Sequence, residues 1–155
     1  MVVASGSLAF TEGGVWSHGA TIAAGSTLTL AARGLTGDAL VLESGAPISG
    51  AGNLTIGLLG EVGQATLNSA LGVGGVMHVV GGTNTFNGEV TVGARLLISG
   101  GVNGFYAPVA APTLEVDGGA SVFAGAVTLA GDLQVYGGAT EFASTVEVGD
   151  RTIVF

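Results

Sequence analysis

The chain has 155 residues, of which 30 are glycine, three are proline, none is cysteine and 48% are hydrophobic. That is the length of one domain with enough apolar residues for a core; it excludes collagen and disordered-linker patterns, and it excludes disulfides, thiolate chemistry and cysteine zinc sites. Eleven acids stand against Arg33, Arg95 and Arg151 with no lysine, and the net charge of -8 argues against nucleic acid and anionic membrane surfaces as partners.

The opening "MVVASGSLAF" has no basic segment ahead of its apolar residues, so it does not read as a signal peptide, and an exported protein would carry it as a mature segment. Apolar pairs spaced i, i+2 then recur between glycines. Leu8 with Phe10 precedes Gly13, Ile22, Leu28 and Leu30 fit a coil starting near Gly14, and Leu40 with Leu42 precedes Gly45. The interval from Arg33 to Gly45 is too short for a full lap, and Leu54 and Ile56 fall one residue late. Residues 1–62 are therefore expected to form irregular coils.

From Gly63 onward the pattern is tight. Taking the second glycine of each pair as zero gives Gly82, Gly101, Gly119 and Gly138, with Gly63 as a single-glycine version, at spacings of 19, 19, 18 and 19. Four residues later stand Leu67, Phe86, Phe105, Phe123 and Phe142; eight later, Leu71, Val90, Val109, Val127 and Val146. A further strand precedes each next glycine pair, at Met77 with Val79, Leu96 with Ile98, Leu114 with Val116, and Leu133 with Val135. Period-two alternation broken by glycine means strand and turn, and three short strands per fixed period mean a β-solenoid, because one coil cannot bury its apolar side alone. The fold class expected is all-β, a single parallel β-helix domain over 1–155 with about 18–19 residues per coil, regular over 63–155, six to eight coils in all. The glycine pair marks the corner where each lap closes. Stacking at a strand spacing of about 4.8 Å would set Phe86, Phe105, Phe123 and Phe142 in an internal ladder beside Val90, Val109, Val127 and Val146.

"NTFNGEVTV", residues 84 to 92, followed by "GARLLISGG", resembles the autotransporter-associated β-strand repeat of bacterial surface passengers, in which Asn-Thr-Tyr-Thr-Gly leads into an alternating Thr/Val strand and then a Gly-x-Leu strand. The likeness rests on Asn84, Thr85, Phe86, Gly88, Val90 and Val92 and covers about one repeat; the coils at 119 and 138 keep only its skeleton. It implies a right-handed parallel β-helix, secreted and displayed on a bacterial surface.

Motifs for catalysis are mostly missing: without lysine there is no Walker A loop, and neither G-x-S-x-G nor a strand followed by G-x-G-x-x-G occurs. His18 and His78 lie several coils apart, with His78 facing outward, and no cofactor or metal is expected. Glu115 and Asp117 flank Val116 on one outer face, about 6.6 Å apart, near the spacing of glycosidase carboxylates, yet their neighbours Leu97, Ser99, Gln134 and Tyr136 form no acid cluster. They read as solvated surface acids. Asp132 and Arg151 share one repeat position and should form a corner salt bridge between adjacent coils. Tyr136, Tyr106 and Trp16 are the candidates for stacking on glycans, although Trp16 also suits a plug for the N-terminal end of the tube. A Thr-x-Thr array for ice binding has only Thr27 with Thr29.

The sequence closes on "DRTIVF", with Ile153 and Phe155 expected at inward strand positions, and no charged or helical cap is evident at either end. A segment of a longer solenoid and a subunit that pairs end to end both fit. The expectation is a non-enzymatic extracellular structural solenoid that stacks head to tail with itself through Val2, Val3, Leu8, Phe10, Ile153, Val154 and Phe155, without entering a membrane. The alternative is a passenger fragment that binds, or less readily cleaves, surface glycans, with Glu115, Asp117 and Tyr136 as its candidates. A cytoplasmic filament of bactofilin type shares the geometry but fits poorly with the absence of lysine.

Overall fold

The computed structural model describes residues 1–32, 39–60 and 62–155. Over these residues the chain forms short strands and no helix, wound into a β-solenoid of about eight turns with three strands per coil. Face A runs from Val2–Val3 to Val146–Val148 and face B from Ser7–Phe10 to Thr152–Val154, each an eight-stranded sheet; face C, from Gly14–Trp16 to Ala139–Phe142, has seven strands. All pairing is parallel and always to the strand one lap away, so the hydrogen bonds run along the stack rather than within a lap.

The repeat columns are the observed registers. Leu71, Val90, Val109, Val127 and Val146 pair in succession on face A. Met77, Leu96, Leu114 and Leu133 do so on face B, and Leu67, Phe86, Phe105, Phe123 and Phe142 on face C. In-register stacking lays like on like, and the phenylalanine rings stand face to face with centroids 4.3, 4.6 and 5.0 Å apart and planes within 16°. Phe86, Phe105 and Phe123 are fully buried, whereas Phe142, in the last strand of face C, is half-buried.

The corner glycines do what the spacing requires. Gly82, Gly101, Gly119 and Gly138 have φ between +80° and +86°, a conformation that a side chain rarely adopts. Gly63 is different: its φ is not positive, and it is glycine because an added Cβ would run into the Ala32 carbonyl.

The first third carries the corrections. Leu40–Leu42, read as the strand before a glycine turn, belongs to face C, where it lies between Gly14–Trp16 and Gln64–Leu67. Leu54 and Ile56 are in column, pairing back to Leu28 and Leu30 and forward to Met77 and Val79. Their late position is absorbed by longer laps: Thr21 pairs with Ser49, and Ser49 with Gly72, intervals of 28 and 23 residues. The interval starting at Arg33 lies partly outside the described residues.

Candidate functional site

Strands of three or four residues offer only one or two outward side chains each, so this molecule's chemistry is confined to its outer faces, its corners and the two edges of the stack.

On face B, Leu97, Glu115 and Gln134 are direct neighbours, as the register predicts. Glu115 also receives a hydrogen bond of 2.7 Å from Arg95, which reaches it diagonally across the ladder. The Glu115 and Asp117 pair is thereby split: one carboxylate is ion-paired while the other is exposed. At this level of exposure the ion pair contributes little stability, about 0–1 kcal/mol. Two laps before Glu115, His78 Nε2 lies 2.8 Å from Ser99 Oγ. Ser99 lines a shallow groove of about 430 Å³ with Leu59, Val62, Val80 and Val102.

His78 titrates below its usual 6.5, because partial burial and then the Arg95 guanidinium disfavour the imidazolium, with Asp117 pulling weakly the other way. The folded state thus prefers neutral His78. The stability this provides is present above about pH 6.5 and is lost as the pH falls through the lowered folded value. Replacing His78 by Gln is expected to flatten that part of the acid limb in urea midpoints taken on both sides of pH 6.5; an unchanged limb would assign the loss to other groups.

The corner salt bridge is present. Arg151 donates to both carboxylate oxygens of Asp132, at 3.3 and 2.7 Å, and these bonds hold the Asp132 carboxyl below the usual carboxylate range. A polar row continues from it, with Gln134 donating to Asp132 at 3.1 Å and Tyr136 OH donating to Gln134 at 3.0 Å. Tyr136 is 47% exposed and stacks on Phe155 at 5.4 Å. That stack corrects the reading of "DRTIVF": Thr152 pairs with Leu133, Ile153 with Gln134 and Val154 with Val135. The inward column positions are therefore Thr152 and Val154, while Ile153 follows Gln134 and Phe155 follows Tyr136 outward. The Asp132 and Arg151 corner fixes the count from Gly138, and apolar residues at the next odd positions do not shift it.

The Tyr106 ring lies beside Gly104, where a Cβ would stand 2.7 Å from it. Trp16 packs on the core at the N-terminal edge with its ring 4.7 Å from Phe10, as the plug reading expects. The three aromatic candidates are thus on separate parts of the molecule and form no common platform. Of the residues expected at subunit contacts, Val3 is 4% exposed and belongs to the core, and Leu8 is packed against it. Val2, Phe10, Val154 and Phe155 are exposed at the edges, and Ile153 is half-buried. Among the described residues no group of three or more histidines or acids is placed to hold a metal ion.

One feature escaped the sequence reading. Two residues after each corner glycine come Asn84, Asn103, Ser121 and Thr140, and they point inward as a polar ladder beside the phenylalanines. Asn84 Nδ2 donates to Gly81 O at 3.0 Å and to Asn103 Oδ1 at 2.9 Å; Asn103 Nδ2 donates to Gly100 O at 3.1 Å and to Ser121 Oγ at 3.3 Å. The series ends at Thr140, whose buried Oγ1 has no partner among the described residues. Parity was the available signal, since a residue two before an inward phenylalanine also faces inward.

No family model, curated protein or solved structure matches this chain. The functional reading therefore rests on the geometry together with the sequence. Over the described residues the geometry offers repetition, two stack edges and separate aromatic outcrops, and a shallow pocket of about 290 Å³ at the N-terminal edge is lined by Glu12, Trp16 and His18.

Proposed function

We propose that this chain is a non-enzymatic structural β-solenoid, displayed outside the cell, whose stack is extended end to end by further copies into a surface filament. The observation that carries this reading is that the apolar columns of faces A and C reach the C-terminal edge with their last side chains only half covered. Val127 and Leu129 are closed off, while their stack neighbours Val146 and Val148 are half-exposed. Phe142 stacks on one ring only, and the polar ladder is one partner short at Thr140. A further coil laid on that edge would supply strand hydrogen bonds and apolar contact together. Extracellular display rests on the resemblance to surface passenger repeats and on the lack of cysteine.

Negative-stain electron microscopy of the purified chain over a concentration series is expected to show unbranched fibres of uniform width. Removing Thr152–Phe155, which carries the last strand of face B, is expected to abolish them. Monodisperse short rods at every concentration would overturn the filament reading.

The alternative, a passenger segment that binds surface glycans, is favoured by the stacked Tyr136 and Phe155 rings beside the Gln134, Asp132 and Arg151 row. Exposed aromatic faces flanked by hydrogen-bonding groups suit sugar rings. Loss of glycan retention in Tyr136→Ala, with folding intact, would support it.

A further inference from the structure

The five asparagines are followed by leucine, serine, threonine and twice by glycine. Asn-Gly is the dipeptide most prone to self-modification, because glycine carries no Cβ to keep its backbone nitrogen from the preceding side-chain amide. The two copies, Asn87-Gly88 and Asn103-Gly104, occupy opposite environments within one lap of each other.

Asn103 lies inside the strand Val102–Phe105 and is 2% exposed. Its side chain is held by Asn84, Gly100 and Ser121, and Gly104 is paired on both sides, to Thr85 and Val122. Asn87 is exposed, at the corner between the strands Thr83–Phe86 and Val90–Val92. Its only side-chain hydrogen bond among the described residues is to Asn68 Oδ1, at 2.8 Å on the surface. The neighbouring Gly88 N–H is loosely held: it shares the Leu67 carbonyl with Asn87 N–H, at 3.3 Å against 2.8 Å.

We propose that Asn87 is a site of spontaneous deamidation and isoaspartate formation. The Gly88 backbone nitrogen attacks the Asn87 side-chain carbonyl carbon. The new N–C bond forms as the C–NH2 bond breaks, and the proton lost by the nitrogen leaves with the amine as ammonia. Water then opens the cyclic imide at either carbonyl, giving aspartate at 87 or an isoaspartyl link in which the main chain runs through the former side chain. No oxidant, metal or enzyme enters the balance.

The fold itself imposes this lability. A Cβ at Gly88 would run into the Ser69 carbonyl of the lap below, so the corner requires glycine there. Gly125 is under the same constraint from the Ala107 carbonyl, but the residue before it is Ala124, which has no amide to lose. What differs between the two corners is the residue in front of the obligatory glycine. Conversion adds a negative charge to a chain already at -8 and replaces the Asn87 amide donor, facing Asn68, with a carboxylate. The isoaspartyl form also lengthens the main chain by one methylene between the phenylalanine ladder and the valine column.

The test follows both asparagines in one molecule. The intact folded chain is held in warm, mildly alkaline buffer, sampled over days, and cleaved with pepsin at low pH; peptides carrying residue 87 or 103 are then followed by mass spectrometry. In the folded chain Asn87 is expected to convert more than about tenfold faster than Asn103, which reacts only through opening of the ladder. Two products of equal mass are expected to separate on chromatography. In concentrated urea the two sites are expected to react within about twofold of each other, since neither is then protected. Equal rates in the folded chain would overturn the proposal, and so would an intact Asn87 under conditions where the urea sample converts. Failure of both sites to convert in urea would overturn the chemistry itself.

Discussion

Phe105→Ala is expected to lower stability by about 3–5 kcal/mol, read as a fall in the urea midpoint. Phe105 is 1% exposed and stacks on both sides, at 4.3 and 4.6 Å, so its loss interrupts the aromatic column at an interior rung. Collapse cannot easily fill the void, because the distance between laps is fixed by the backbone hydrogen bonds on all three faces. The same change at Phe142, half-buried and stacked on one side at 5.0 Å, is expected to cost distinctly less. In a repeat stack the interior substitution also weakens the coupling between the laps above and below, and a smaller denaturant slope would report that uncoupling. Equal costs at the two positions would mean that the ladder is not a cumulative element of the core.

The second large effect is expected at Asn103→Leu. Leucine keeps the branched shape of asparagine but is bulkier and apolar, so Gly100 O, Asn84 Nδ2 and Ser121 Oγ each lose a partner and overpacking of the buried site adds to the cost. Each buried polar group left unsatisfied costs about 1–3 kcal/mol, with Asn84 partly compensated by its remaining bond to Gly81 O. Asn103→Ser copies the residue found one lap on, at Ser121, and is expected to retain more stability than the leucine variant. Urea midpoints of the two variants decide this; a leucine variant as stable as the parent would make the polar ladder incidental.

The solenoid was legible because its columns repeat in identity as well as in polarity: four phenylalanines at one position, with valine or leucine four residues on, leave only one way to stack the laps. Leu40–Leu42 was not assignable to a face, since an apolar i, i+2 pair looks alike on faces B and C, and only its pairing with Gly14–Trp16 and Gln64–Leu67 decides. Apolarity misled at Ile153 and Phe155, where counting from Gly138 puts Thr152 and Val154 inward. The default that asparagine faces solvent hid the polar ladder. The Arg95 and Glu115 contact is diagonal, so direct register neighbours do not predict it. Function was less legible than fold because a solenoid's sequence is mostly occupied with closing its laps, leaving few outward positions to carry a chemical signature.

Because each strand is bonded only to strands one lap away, the molecule's mechanics depend on direction. Tension along the stack axis opens one junction at a time, as a zipper does, so the force it withstands is that of a single lap however many are present. Tension along the strands must shear a whole row of rungs together and meets far greater resistance.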